Sequence, residues 1–257
     1  MAVAATHSLA LLSGVASHYH GVMSETPPPR IAIYDMDRTI TRRGTYSGFL
    51  MHVVRRRQRW RVLLTPLVAL ASLAHVTGLM TRAQLKAINL RLMLGPSFRR
   101  DEIAPLAESY ADKLVANGLY GPALEQIARD KAAGYRVLLA TASFHLYVDA
   151  IAARLGIDDV LATRLSDGAG PDLVRARLAG DNCYGDAKFA RISDWMDSNA
   201  LTRDGSHIRA YSDHVSDRPM LHFAHEAVAT TPSRRLRKLA PKMGWQVVDW
   251  RPKRQKR

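Results

Sequence analysis

Two aspartates one residue apart, Asp35 and Asp37, follow the short apolar run Ile31-Ala32-Ile33 in the segment Tyr34-Asp35-Met36-Asp37-Arg38-Thr39-Ile40-Thr41. An apolar run ending in a D-x-D-x-T turn reads as a buried strand. It delivers two carboxylates, pointing different ways, to the C-terminal edge of a sheet, where α/β enzymes do their chemistry. If Asp35 attacks phosphorus as a nucleophile, Asp37 stands two residues on to protonate the leaving oxygen, and Thr39 can hydrogen-bond to hold the loop. Asp and Thr after a strand also make plain turns and helix caps, so the segment gains meaning only through partners further along the chain.

Three later segments supply those partners. Thr141-Ala142-Ser143 closes the apolar run at residues 137–140 just before a helix, bringing hydroxyls and backbone N–H groups suited to phosphoryl oxygens to the same sheet edge. Lys188 opens a helix after Asn182-Cys183-Tyr184-Gly185-Asp186 and can reach back toward the site as a cation. The run at residues 208–211 ends in Ser212-Asp213-His214-Val215-Ser216-Asp217, a second carboxylate pair spaced to share one hard cation with Asp35. Magnesium prefers such oxygen ligands. Other chemical residues form no comparable set. His20, His145, His214 and His225 show no ligand spacing, Cys183 lacks a catalytic partner, and Trp195, Trp245 and Trp250 sit in apolar periodic stretches as packing groups.

The elements that must position these residues alternate. After the first strand, residues 46–132 read as helical throughout, with a Gly95-Pro96 break. Strands are expected at 136–140, 160–162, 208–211, 227–229 and 246–248. Helices are expected at 146–155, 186–197, 219–225 and 233–243, and a small hairpin at 164–178. This order predicts an α/β fold, a mostly parallel sheet with helices on both faces and an inserted all-helical cap. The expected units are a loose extension (1–30), a catalytic core (31–45 and 133–250), the cap (46–132) and a basic tail (251–257).

The chain of 257 residues is 47% hydrophobic, enough for a substantial core, and its single cysteine rules out an internal disulfide framework. A formal charge of +14 favours phosphates or anionic lipid headgroups as partners, and no zinc-finger or RNA-binding motif accompanies it to favour nucleic acid. Residues 1–30 lack the basic start of a signal peptide. Residues 62–81 carry no charged side chain and are long enough in principle to cross a bilayer, although Pro66, Ser72, His75 and Gly78 dilute them; a buried pair of cap helices is the competing reading. The expected location is cytoplasmic, with peripheral or integral attachment at the cytoplasmic face of the inner membrane as the alternative.

Taken in order, the nucleophile strand, hydroxyl strand, lysine helix and acidic strand resemble the four-motif signature of the haloacid dehalogenase superfamily, in its phosphoserine-phosphatase-like branch (subfamily IB), from about Ile31 to Trp250. The resemblance implies that Asp35 is the nucleophile that becomes an aspartyl phosphate and Asp37 the general acid/base. It implies Thr141, the amide of Ala142, Ser143, Thr39 and Lys188 as phosphate-binding groups. A magnesium ion would sit on Asp35, Asp213 and the main-chain oxygen of Asp37, with Asp217 supporting the metal shell. Two positions depart from the branch. Arg38 replaces a residue that is commonly small and is expected to face solvent. Gly44 stands where phosphoserine phosphatases carry a substrate-binding glutamate, which disfavours free phosphoserine. The cap, with Tyr46-Ser47-Gly48-Phe49-Leu50, the arginine run and Leu94-Gly95, is similar to the phosphatidylglycerophosphatase C family of lipid-phosphate phosphatases, as are Tyr211-Ser212-Asp213 and Asp217-Arg218-Pro219-Met220-Leu221. The resemblance therefore implies a phosphorylated small molecule or phospholipid as substrate. A non-catalytic protein binding anionic surfaces is the reading from another class.

Overall fold

The computed structural model describes residues 27–170 and 172–252. The basic tail and the extension expected at 1–30 lie largely outside the described residues. Six strands form one sheet: β1 (Arg30–Tyr34), β3 (Tyr135–Phe144), β4 (Asp159–Thr163), β7 (His207–Ser212), β8 (Glu226–Thr230) and β9 (Gln246–Val248). Their order is β4-β3-β1-β7-β8-β9, and each neighbouring pair is parallel. The chain leaves β1 toward β3 on one side and later returns to β7 on the other. The strand order thus reverses at β1, and such a switch point opens a crevice at the C-terminal strand ends.

Alternation along the strands sends side chains to two separate cores. Ala32 and Tyr34 face one, with Leu139, Tyr211 and Val228. Ile31 and Ile33 face the other, with Leu138, Ala140, Ile208 and Ala210. Helices α7 (Asp186–Ser198), α8 (Arg218–Phe223) and α9 (Arg234–Leu239) cover the second face through Ile192, Met196, Met220, Leu221 and Leu236. Helices α5 (Gly121–Ala132) and α6 (His145–Arg154) cover the first. Burial on both faces explains why these strands read as continuous apolar runs.

The segment after β1 departs from the sequence expectation in three ways. Helices α1 (Tyr46–Arg57), α2 (Thr65–Val76), α3 (Arg82–Leu94) and α4 (Arg100–Asn117) are interrupted by a strand, β2 (Ser97–Arg99). β2 pairs antiparallel with β6 (Leu173–Leu178), which in turn pairs with β5 (Leu165–Asp167). A three-residue strand whose partner lies about 75 residues away leaves no periodic trace, so the insertion reads as wholly helical. Secondly, α5 packs on the sheet: Asp130 accepts hydrogen bonds from the hydroxyls of Tyr34 and Tyr211, at 2.5 and 3.0 Å. The helix belongs with the core layer, and the expected cap boundary at residue 132 falls too late. Finally, the uncharged stretch 62–81 is broken into the end of a 3-10 turn (Arg59–Leu64), α2, and a turn that ends at Thr81, the N-cap of α3. The 12 residues of α2 span roughly 18 Å, short of a bilayer core of about 30 Å. Among the described residues no helix is long and apolar enough to cross a membrane.

Candidate active site

The loop after β1 is wound around one carbonyl. The N–H of Asp35 still donates to the Tyr211 carbonyl at 3.0 Å, and then Thr39, Ile40 and Thr41 all donate their N–H groups to the Met36 oxygen. This turn puts Arg38 in the left-handed region, at φ +66°, a conformation that costs a non-glycine residue on the order of 1 kcal/mol. In an extended strand Asp35 and Asp37 would point the same way; here the winding separates them.

Asp35 is buried and held by both oxygens. Lys188 Nζ donates to Oδ1 at 2.7 Å, and Thr39 Oγ1 donates to Oδ2 at 3.0 Å. Lys188, in the first turn of α7 and 2% exposed, also reaches Asp217 Oδ2 at 3.0 Å, where the Ser212 hydroxyl donates at 2.6 Å. Asp37 occupies a different pocket of donors, taking the Thr45 N–H on Oδ1 and the Ser143 hydroxyl on Oδ2, each at 2.7 Å. Thr45 is the joint with the cap. Its hydroxyl meets those of Ser143 and Tyr147, and its carbonyl accepts from Tyr110 of α4 at 2.8 Å. A cavity of about 260 Å³ brings together Asp35, Asp37, Thr141, Ala142, Lys188, Asp213 and Asp217.

Two of the expected phosphate-binding hydroxyls face elsewhere. Thr39 is fully buried, spending its hydroxyl on Asp35 and accepting from the Asp213 N–H at 3.0 Å, so it ties the two acidic strands together. The Ser143 hydroxyl is given to Asp37 and its N–H to Thr141 Oγ1 at 3.1 Å, so it positions the second aspartate. Residue type and strand position locate both hydroxyls correctly at the sheet edge, but only their tertiary partners set direction. Arg38 is exposed, as expected, and at the same time lines the cavity.

The cap contributes residues that the sequence reading missed. Lys86 of α3 is buried, and its Nζ donates to the Ala142 carbonyl and to Asn182 Oδ1. Thr163 donates to the same Ala142 carbonyl at 2.8 Å, so that peptide is pinned from two sides. Burial, then the charge of Arg82, pushes the Lys86 ammonium down to about 8. Arg82 lies over the Tyr184 ring, 4.3 Å from its centroid, and both line the cavity with His214 and Ser216. The capping box Thr81-Arg82-Ala83-Gln84 marks the start of α3 and was the readable signal that these cations begin a helix.

Electrostatically the cluster carries more negative than positive charge. Burial raises Asp35, with Asp217 adding to the rise and Lys188 opposing it, to about 6. Burial, then Asp35 and Asp217, pushes Asp213 up to about 8 against Arg38 and Lys188. Burial works against the Lys188 ammonium, yet the charges of Asp217 and Asp35 outweigh it and hold the lysine protonated far above its usual range. One oxygen of Asp217 is buried with no hydrogen-bond partner among the described residues. Three crowded carboxylates, one lysine and an orphaned oxygen fit a hard divalent cation. Among the described residues no three His, Cys, Asp or Glu side chains converge at ligating distance. The expected set does not require them, since it draws on two side-chain carboxylates and a main-chain oxygen.

Comparison with known proteins places this geometry. The chain is 31% identical over 153 residues to phosphoserine phosphatase SerB1 of Mycobacterium tuberculosis, covering 58% of this chain and 47% of that one. It spans about half the length of the first curated relatives it matches. It is also 28% identical over 248 residues to the inhibition of morphological differentiation protein of Streptomyces azureus, covering 92% of this chain and 84% of that one. Among solved structures, a Bordetella pertussis Tohama I protein of unknown function shares the fold with a TM-score of 0.76 at 23% identity, covering 87% of this chain and all of the other. A phospho-aspartyl intermediate analogue of phosphoserine phosphatase shares it with a TM-score of 0.60 at 15% identity, over 87% and 94% of the two chains. Residues 32–222, most of the chain, match the haloacid dehalogenase-like hydrolases. With Asp35, Thr141, Lys188 and Asp213 gathered at the switch point of the sheet inside that span, the chain belongs to the haloacid dehalogenase-like hydrolase family.

Proposed function

We propose that this protein is a magnesium-dependent phosphatase that cleaves a phosphate monoester through an aspartyl phosphate on Asp35. The observation that carries the reading is the buried Lys188 ammonium shared between Asp35 and Asp217, beside a separately held Asp37. A carboxylate oxygen of Asp35 attacks phosphorus as the bond to the leaving oxygen breaks, and Asp37 gives that oxygen its proton. Asp37 then takes a proton from water as the water oxygen bonds to phosphorus and the P–O bond to Asp35 breaks, releasing phosphate and restoring the carboxylate. Thr141, the Ala142 amide and Lys188 hold the phosphoryl oxygens, while Ser143 and Thr45 fix the direction of Asp37. A magnesium ion held by Asp35, Asp213 and the main-chain oxygen of Asp37, supported by Asp217, would neutralise phosphoryl charge.

The cap surface supports a reading of the substrate class. Trp60, Leu63, Leu67, Leu70, Leu73, Val76 and Leu79 are exposed, Leu63, Val76 and Leu79 by 79%, 81% and 84%; the one other exposed large hydrophobic among the described residues is Val247. Arg55, Arg56, Arg57, Arg59 and Arg61 precede this stretch, and no charged side chain interrupts residues 62–81. An apolar face beside a basic collar suits a helix lying on an anionic bilayer, and this favours a phospholipid phosphate over a soluble ester.

The test is phosphate release from an aryl phosphate, a panel of soluble esters and a detergent-solubilised anionic lipid phosphate, with and without magnesium. Magnesium-dependent release that disappears in Asp35→Asn is expected. Equal rates in that variant would overturn the assignment of the nucleophile, and release from no ester, with salt-sensitive polyanion binding, would favour a purely binding protein.

A further inference from the structure

Beside the reaction cavity lies a larger one, of about 510 Å³, between the loop after β1 and helices α1 and α4. Its wall carries five permanent cations, Arg42, Arg43, Arg55, Arg56 and Lys113, and no carboxylate. Arg42 spends its Nε on the Leu119 carbonyl and Arg56 lies against His52, 3.1 Å from the ring Nδ1. Among the described residues no carboxylate pairs with Arg43, Arg55 or Lys113. Elsewhere on the molecule arginines find acids readily, as Arg154 does with Glu108 and Asp112 and Arg209 with Asp130 and Glu226. Concentrated and uncompensated positive charge on a concave wall is the pattern of an anion site. His52 reports the same field from inside: burial, then Arg56 and Lys113, holds its ring below the usual imidazole range, neutral where a sixth cation would be repelled.

Gly44 lines both cavities. Its backbone is outside the left-handed region, and a Cβ built there meets no heavy atom within 4 Å. Neither strain nor packing demands glycine at this position. Among the described residues Gly44 is the one common to both linings, so the two cavities adjoin at this point of the loop. The floor of the larger cavity, Met51, Tyr110 and Leu114, is apolar and suited to a short carbon linker.

We propose that the larger cavity is a subsite for a second anionic group, a phosphate or phosphodiester, carried by the leaving group of the monoester cleaved at Asp35. The inference rests on the phosphatase reading above. A soluble bisphosphate and the phosphodiester of a lipid headgroup present the same chemistry to the five cations.

The test compares kcat/KM for three substrates: phenyl phosphate, propane-1,3-diol bisphosphate, and vesicles carrying a lipid whose headgroup phosphodiester ends in a monophosphate. Wild type is measured against Arg55→Gln/Lys113→Gln. The preference of wild type for the better bis-anionic substrate over phenyl phosphate is expected to fall about 10- to 100-fold in the double variant, mostly through KM, as two charge-assisted contacts are lost. A stronger effect on the vesicles, with sedimentation of the double variant on anionic vesicles equal to wild type, assigns the anion to a lipid phosphodiester, and a stronger effect on the bisphosphate assigns it to a soluble compound; a vesicle effect that only follows lost sedimentation, with the bisphosphate preference unchanged, overturns the subsite. An unchanged preference ratio overturns the subsite. If wild type turns over none of the three, the phosphatase reading falls. The subsite is then decided by titration calorimetry with propane-1,3-diol bisphosphate: it stands if the double variant binds at least tenfold more weakly and falls if the affinities are equal.

Discussion

Asp213 makes the stability of the cation-free protein depend on pH in a direction opposite to that of an ordinary paired carboxylate. Its carboxyl is pushed from 3.8 up to about 8 by burial, then by Asp35 and Asp217. Between those two pH values the unfolded chain has released this proton and the folded chain keeps it. The folded state binds more protons, so unfolding free energy falls as pH rises, by up to ~1.4 kcal/mol per pH unit while folded Asp213 stays protonated. Integrated from pH 7 to 8.5, a group titrating near 8 contributes a loss of ~1.3 kcal/mol, or about 3–5 °C in Tm for a domain of this size. Other groups act in neighbouring windows. His52, His214 and His225 are lowered in the fold, chiefly by burial, and increase stability as pH rises toward 6.5, below this range. Lys86, lowered to about 8, works in the opposite sense to Asp213 within it.

The difference between wild type and Asp213→Asn therefore carries the prediction. Urea unfolding in chelator at pH 7.0 and 8.5 is expected to show wild type losing ~1.3 kcal/mol relative to the variant. Millimolar magnesium should remove most of that difference, because a cation on the ionised carboxylates replaces the proton. Parallel pH curves for the two proteins in chelator would refute the claim that Asp213 is buried against like charge.

Lys188→Met strands two buried carboxylates and is expected to lower stability by about 3–5 kcal/mol in chelator, with partial recovery in magnesium; a melting temperature within 2 °C of wild type would count against the shared ion pair. Ser143→Ala removes the hydroxyl that aims Asp37, so kcat should fall about tenfold with KM nearly unchanged and stability altered by ~1 kcal/mol; a raised KM at constant kcat would instead assign the hydroxyl to substrate binding. Leu70→Glu/Leu73→Glu changes two exposed positions of α2, so the fold and the turnover of soluble esters should be preserved while sedimentation with anionic vesicles drops at least tenfold. Unaltered vesicle binding in that variant would remove the apolar face from the account of the substrate.

How much of this was legible in the sequence depended on the range of the interaction. The strands and helices around Asp35, Thr141, Lys188 and Asp213 were readable because each apolar run is buried on both faces of a parallel sheet and ends in the polar residues of a sheet edge. Their convergence was expected only through the resemblance that their order carries, and the sheet brings them together because β3 and β7 flank β1. Contacts between sequence-distant side chains were not readable. Thr39 and Ser143 are hydroxyls at the right edge, but each turns to a carboxylate, Asp35 and Asp37 respectively. Nothing local in the sequence separates Lys86 from a lysine of a surface helix; its role comes from the fold of the cap, which sets it against the Ala142 carbonyl. Residues 62–81 showed apolarity without direction; only the packing of α2 against α3 and the 3-10 turn leaves one apolar side outward.

The division of labour between Asp35 and Asp37 is a property of the loop backbone as much as of the two residue types. A strand continued through Asp37 would send both carboxylates to one face, where like charge would drive one of them to take up a proton. The chain instead folds back on the Met36 carbonyl, and Arg38 accepts a left-handed conformation to let it do so. Asp35 thereby falls among Lys188, Asp213 and Asp217, in a field that burial and crowding make strongly cation-demanding. Asp37 falls among neutral donors, Thr45 and Ser143, which orient a carboxyl group without adding a formal charge beside it. One residue of separation, converted by a left-handed turn into two electrostatic environments, is what the proposed mechanism needs if the first aspartate is to share a metal and attack phosphorus while the second exchanges a proton.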